Sequence, residues 1–273
     1  MSTSGAASRA SLAEAVERLE VILSTAELAT LGEELFGVMR LLDREPALRR
    51  ALSDPSRDGE EKAQLVRILL EGKVGEPALE LTSDVVRQRW SRPRELADAF
   101  ERLAVIAEAA RAEAEGRIDD LEDEIFRFAR IVEREPALRN ALTSPQLQPE
   151  RKRELVVALL DGKVTASALR LISEVVTGPR GRSLERALAE YGRLVAQRRD
   201  RLIALVRTPT TLSEEQRTRL VATLSAAYGH DVYLNIQVDP GVLGGISVQV
   251  GDEVVDGTVA RRLDDVRRQI TAG

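Results

Sequence analysis

Six residues, Arg44-Glu-Pro-Ala-Leu-Arg49, return letter for letter as Arg134-Glu-Pro-Ala-Leu-Arg139, ninety positions later. Held at that offset, residues 31–86 align without a gap onto residues 121–176, and 28 of the 56 pairs are identical. The matches include residue types that composition supplies least readily: Phe36/Phe126, Pro55/Pro145, Lys62/Lys152, Gly72/Gly162 and Val85-Val86/Val175-Val176. The chain is therefore committed to using one architecture twice. A period of ninety is too long for a solenoid of short repeats and describes two tandem domains.

Each copy reads as a series of short amphipathic helices. Leu31, Leu35, Val38, Leu41 and Leu42 recur at helical spacing, so one face is apolar. Glu45-Pro46 ends that helix, and Pro46 suits the first turn of the next. A brief helix over 49–52 stops near Asp54-Pro55. Asp58 or Gly59 starts another, with Leu65, Val66, Leu69 and Leu70 inward and Gly72 as a left-handed cap. Leu79, Val85 and Val86 line a further helix that ends near Pro93. A long helix over about 94–115 then closes the first bundle and is placed to open the second, and its counterpart spans about 183–199. The composition agrees. The chain is 43% hydrophobic but only 3% aromatic, so its cores are built from Leu, Val, Ile and Ala, which favours helices. The expected division is a first helical bundle over 1–112, a second over 113–200 and a last module over 201–273. Because each copy carries its own apolar faces, removing about residues 1–90 is expected to leave a folded remainder.

After Arg201 the hydrophobic period shortens from 3.6 toward 2. Leu202-Ile-Ala-Leu-Val206 is a strand, stopped by Thr208-Pro209. Ser213-Glu-Glu-Gln216 is a capping box ahead of a helix that runs to about Tyr228-Gly229. Val232, Leu234, Ile236 and Val238 alternate with polar residues as in a half-buried strand, and Ile246, Val248 and Val250 alternate again. Gly251-Asp252 signals a hairpin with Val254-Val255 as the return strand. Asp256-Gly-Thr258 starts a last helix with Leu263, Val266 and Ile270 on one face. The fold expected is mainly α with a C-terminal α/β module, in the order β-α-β-β-β-α.

Little in the sequence supports chemistry. The formal net charge is -5, with signs interspersed, so there is no electrostatic case for nucleic acid. There is no Cys, hence no thiol nucleophile, disulfide or thiolate metal site. His230, the one histidine, lies between a helix and a strand and reads as a turn residue, which leaves no metal set and no Ser-His-Asp system. The Gly241–Gly245 loop is followed by a strand and lacks the Lys of a phosphate loop. A lipoyl- or biotinyl-carrier reading of 248–257 needs a lysine, and none follows Lys163. The acidic residues alternate with Arg along helices, as on solvated faces. Trp90 is read as packing in the first core, with a partner anchor as the other reading. No apolar run reaches the roughly 18–20 residues of a membrane span, and the N-terminus lacks the order of a secretory signal. A soluble, cytoplasmic chain is expected, without catalytic residues, cofactor or metal.

Val238-Asp-Pro-Gly-Val-Leu-Gly-Gly-Ile246, followed by Val250-Gly-Asp-Glu-Val-Val-Asp-Gly-Thr258 and Arg261-Arg-Leu263, resembles the C-terminal signature of the ATP synthase delta subunit family, which includes the mitochondrial oligomycin-sensitivity-conferring protein. Asp239, Pro240, Gly244, Gly245, Gly251, Asp252, Asp256 and Gly257 carry that likeness. The repeated helical module, with its Glu-Pro-Ala-Leu-Arg and Gly-Lys elements, is similar to the family's N-terminal domain. The family pattern has one helical domain and this chain has two, so the second copy corresponds by order and the first is an addition. The resemblance implies a non-catalytic stator subunit on the cytoplasmic face of a bacterial membrane. Its partners would be the α subunits of the catalytic head and a b-type stalk subunit. A partner groove is expected from Leu169, Ile172 and Val176 on one helix and Leu103 and Ile106 on its neighbour, with Val266 and Ile270 offered to the stalk; the competing reading is that these side chains fill cores. The alternative function is a free helical adaptor for unrelated partner helices.

Overall fold

The computed structural model describes residues 5–24, 29–200, 202–229, 232–239, 242, 245–250 and 253–256. The chain forms two compact units, Met1–Arg199 and Asp200–Gly273.

The first unit is helical: α1 (Ala6–Leu23), α2 (Leu31–Arg44), α3 (Pro46–Ser53), α4 (Gly59–Leu70), α5 (Glu76–Arg87), α6 (Pro93–Ala114), α7 (Ile118–Arg134), α8 (Pro136–Thr143), α9 (Pro149–Leu160), α10 (Ala166–Thr177) and α11 (Leu184–Arg199). Local signals fix most of these boundaries. Pro46 and Pro136 each occupy the first turn of a helix, where the missing N–H costs no bond. The Asp58 carboxylate accepts from the Glu60 amide at 2.8 Å and so starts α4. Gly72 and Gly162 follow α4 and α9 with φ of 71° and 70°, the left-handed conformation expected of them. The helix expected to run toward Pro93 stops at Arg87, and Pro93 opens α6 instead. Between them Trp90 is buried and donates its indole N–H to the Val85 carbonyl at 2.9 Å, as the core reading expected.

The first helix, α1, was not anticipated. Shifted by ninety residues it falls on α6, and α6 shifted by ninety falls on α11. The module is therefore a six-helix bundle used twice, α1–α6 and α6–α11, with α6 belonging to both. A helix with that position is packed on both sides. Leu96, Phe100, Leu103 and Ile106 are buried along α6 together with Ala97, Ala99, Ala104, Ala107, Ala109 and Ala112. The alanines let the surrounding helices approach closely. The two copies share one continuous apolar core, so the expected division at 112/113 falls near the end of a common helix and does not separate two compact units. The shared core weighs against the expectation that removing residues 1–90 leaves a folded remainder. Phe100 of α6 packs with Val38, Leu42, Leu52 and Val86 of the first copy around a small apolar cavity.

The second unit holds β1 (Leu202–Thr208), α12 (Glu214–Tyr228), β2 (Val232–Val238), β3 (Ser247–Val250) and β4 (Glu253–Asp256). The sheet order is β2-β1-β3-β4. β1 is parallel to β2, with Ala204 opposite Leu234, and antiparallel to β3, with Val206 opposite Val248. β3 and β4 are antiparallel, with Gln249 opposite Val254. The capping box forms as expected: the Ser213 amide donates to Gln216 Oε1 at 2.8 Å, and the Gln216 amide donates to Ser213 Oγ at 3.3 Å. Ala204, Val206, Leu224, Val232, Val248 and Val250 make the core. The expected Gly251-Asp252 turn and the last helix lie outside the described residues.

Candidate functional site

The side chains expected to line a partner groove are found in the joint between the two copies. Leu103, Ile106, Ile172 and Val176 are buried, and Leu169 is half-buried against the same core. The first copy's α2 packs on α6 and meets α10 through the Arg40–Glu174 and Arg170–Glu33 pairs. Gly32 of α2 permits the close approach: a Cβ there would stand 2.3 Å from Glu108 Oε1 on α6. That expectation is corrected in favour of the core reading.

The joint is apolar at its centre and ionic at its edges. Phe36 is 0% exposed, with its ring 6.4 Å from that of Tyr191 on α11. Arg40 meets Glu174 of α10 at 2.6 Å, and Glu174 also holds Arg153 of α9 at 2.7 Å. Arg170 of α10 reaches Glu108 at 2.5 Å and Glu33 of α2 at 3.6 Å. In the turn after α10, Arg180 adopts φ 54° and binds Asp43 at 2.7 Å, Asp98 at 2.9 Å and Glu101 at 2.7 Å. Glu101 also pairs with Arg182 and accepts from the Tyr191 hydroxyl at 2.9 Å. Further along, Arg198 of α11 bridges Glu20 of α1 at 3.0 Å and Glu113 of α6 at 2.7 Å.

These charges perturb one another in ways that follow from burial. Burial works against the charge of Arg180, but its bonds and its proximity to Asp43, Glu101 and Asp98 hold its pKa above the usual arginine value. Burial raises the Glu108 carboxyl, with Arg170 pulling it down, and raises Asp98 against the pull of Arg180. Tyr191 is pushed up by burial and then by the neighbouring Glu101 charge. Removing one member of such a buried set leaves an uncompensated charge, which is costly. The network therefore fixes the two copies in a single register.

Sequence reasoning missed Glu101, Arg180 and Tyr191, which have no counterparts of like chemistry in the other copy: their equivalents are Ser11, Trp90 and Glu101 itself. Departure from the repeat was the available signal.

Of the residues carrying the C-terminal likeness, Asp239 is exposed just after β2 and donates its amide to the Thr208 carbonyl at 2.9 Å. Gly245 has φ 91°, and Asp256 ends β4. Pro240, Gly244, Gly251, Asp252 and Gly257 lie outside the described residues, as do His230, Val266 and Ile270. Among the described residues no group of three His, Cys, Asp or Glu is arranged to hold a metal ion, and no helix is long and apolar enough to cross a membrane.

Two fused six-helix bundles, locked by buried ion pairs and followed by a small mixed sheet, define a helical-repeat scaffold with an α/β module. Comparison with known proteins narrows the class. The model of the ATP synthase delta (OSCP) subunit matches residues 105–270. A Thermobifida fusca protein named ATP synthase subunit delta is 50% identical over 263 residues, covering 96% of this chain and 98% of the relative. Proteins of the same name from Streptomyces avermitilis and Streptomyces coelicolor are 48% and 45% identical, covering 99% and 100% of this chain and 100% of each relative. A chain of a Toxoplasma gondii mitochondrial ATP synthase hexamer structure aligns at 15% identity with a TM-score of 0.28, covering 62% of this chain and 96% of that one. The chain belongs to the ATP synthase delta (OSCP) subunit family, whose members are subunits of the ATP synthase complex. The family model begins within α6, so the first copy lies outside it, yet the three relatives align over both copies. The long form is a shared design.

Proposed function

We propose that this chain is a stator of a rotary, proton-translocating ATP synthase, holding the catalytic head to a b-type peripheral stalk on the cytoplasmic face of the membrane. Membership of the delta family over nearly the full length of its relatives carries this reading. The physics is compatible: a connector that resists torque must be stiff, and α6 shared between two bundles with a buried ionic joint supplies stiffness. The helical unit takes the head and the C-terminal module takes the stalk, with Val266 and Ile270 offered there.

We assign a helix from the head's α subunits to the open face of the first copy. In the second copy α2 packs on α6 and reaches α10 through Arg40 and Glu33. The equivalent face in the first copy is that of α1 and α5, where Ala10, Ala13, Glu14, Glu17 and Val21 are exposed. Arg18 spans it, pairing with Asp84 at 2.8 Å and with Glu80. It accepts an amphipathic helix, preferably one with basic flanks.

Membranes from cells lacking the chain test the stator reading. ATP hydrolysis by the head should persist while ATP-driven proton pumping is lost, and the tagged chain should recover α and b-type subunits. Pumping that survives deletion, or a tagged chain that recovers neither subunit, contradicts the proposal and favours a free adaptor.

A further inference from the structure

The tandem arrangement leaves a second face open, and the chain itself shows what such a face accepts. In α2, Glu33, Phe36, Arg40 and Asp43 form one stripe, and all four are engaged by the second copy: Glu33 by Arg170, Phe36 by Tyr191, Arg40 by Glu174 and Asp43 by Arg180. Ninety residues on, α7 carries Asp123, Phe126, Arg130 and Glu133 in the same four positions, with the same order of acid, aromatic, base and acid. There is no third copy to cover them. Phe126 is 63% exposed where Phe36 is fully buried. The charges fold back on their own helix, Asp123 onto Arg127 and Arg130 onto Glu133 at 2.9 Å. Exposed local pairs of this kind contribute little stability and exchange partners readily. Two glycine positions differ in kind: the equivalent of Gly32, Glu122, is held by Arg199 at 2.5 Å, and the equivalent of Gly37, Arg127, holds Asp123. A partner on α7 therefore seats toward the 126–133 end.

We propose that the Asp123–Glu133 stripe of α7 is a docking surface for an amphipathic helix of another ATP synthase subunit. That helix carries a basic residue followed four positions later by an acidic one, as Arg170 and Glu174 do on α10, and offers Phe126 an aromatic or apolar contact. The proposal rests on the chain's place in the ATP synthase complex and goes beyond the head and stalk contacts described above. Charge complementarity sets the occupant. A second copy of this chain, stacked head to tail, would extend the repeat into an open filament. It is disfavoured by its own sequence: the equivalents of Arg170 and Tyr191 in the first copy are Glu80 and Glu101. Such stacking would set Glu80 against Asp123 and present a carboxylate in place of the Tyr191 ring, like-charge and polar mismatches that work against self-assembly.

Photo-crosslinking in the assembled enzyme tests this directly. The full chain is prepared with p-benzoylphenylalanine in place of Phe126, and separately in place of Ile68, an exposed apolar residue of the first copy, and each is incorporated into ATP synthase. The probe at 126 should capture one helical segment of another subunit that carries the basic-then-acidic pair four residues apart, and the probe at 68 should not capture that segment. Reversing the charges with Asp123→Lys and Arg130→Glu should abolish that crosslink and lower retention of the chain at raised ionic strength by about tenfold, roughly 1.4 kcal/mol. The melting temperature of the isolated chain should stay the same, because those pairs are exposed. An assembled enzyme in which position 126 captures nothing, captures a segment without the charge pair, or captures a second copy of this chain overturns the proposal and leaves the stator reading intact. A probe-bearing chain that stays out of ATP synthase altogether contradicts the stator reading and the partner assigned here with it.

Discussion

Phe36 and Phe126 occupy equivalent places in two copies of one module and have opposite surroundings. The first is sealed between α2 and α11, and the second stands in solvent. The same holds for the charges beside them: Arg40 reaches across to a buried carboxylate of the other copy, while Arg130 pairs with its own helix. The lesson is that position in the tandem, more than local sequence, decides what a residue does. Fusing the bundles through α6 uses the back of the first copy and the front of the second. It leaves the front of the first and the back of the second free, and these two open faces are unlike.

The severest way to break the comparison is to remove one side of it. Deleting residues 1–90 strips α6 of α2, α3 and α5 and exposes Phe100, Leu103, Ala104 and Ala107 together. The remainder is expected to aggregate or to lose cooperative unfolding, read by light scattering and by circular dichroism on heating. A remainder that melts cooperatively would show that the copies are independent after all. Next in size is the aromatic pair. Phe36→Ala should cost about 3–5 kcal/mol in urea unfolding of the isolated chain, as for other large core truncations. Phe126→Ala should be within about 0.5 kcal/mol of the parent.

How much of this was legible beforehand varied with the physics of each element. Proline and glycine punctuation placed α2 to α5 and α7 to α10, because Pro46, Pro136, Gly72 and Gly162 act locally. The capping box at Ser213 and the alternation in β2 and β3 were legible for the same reason. The α1 helix was not, because the repeat fades there. Where α1 keeps a solvent face, α6 is packed along its middle, so Glu14 and Glu17 of α1 become Ala104 and Ala107 of α6. The expected partner groove failed for a tertiary reason. Apolar residues at helical spacing look alike whether they await a partner or already fill a core, and no feature of Ile172 or Val176 in the sequence reports that both are buried in the shared core. The open faces were legible only through difference, by asking which residues one copy buries and the other exposes.

Smaller effects sharpen the same contrast. Arg40→Ala weakens a bond to a buried carboxylate that retains Arg153, and should cost about 1–3 kcal/mol, whereas Arg130→Ala should leave the melting temperature unchanged. Smallest is a pH effect at the joint. Burial holds the Glu108 carboxyl above its ordinary 4.5, so the folded chain takes up that proton more readily than the unfolded one. Its contribution to stability is then fullest below about pH 4.5 and is lost as pH rises through the raised value. The melting temperature of the parent minus that of Glu108→Gln should accordingly fall as pH rises toward neutrality. A difference that grows with pH would mean that the Arg170 pairing outweighs burial.

Amide hydrogen exchange of α2 and α7, measured in the isolated chain and in the assembled ATP synthase, tests the central claim most directly. If the two helices differ only in what covers them, α2 is already protected in the isolated chain and changes little, while α7 gains protection on assembly. Unchanged exchange in α7, or an equal gain in both helices, would contradict the account.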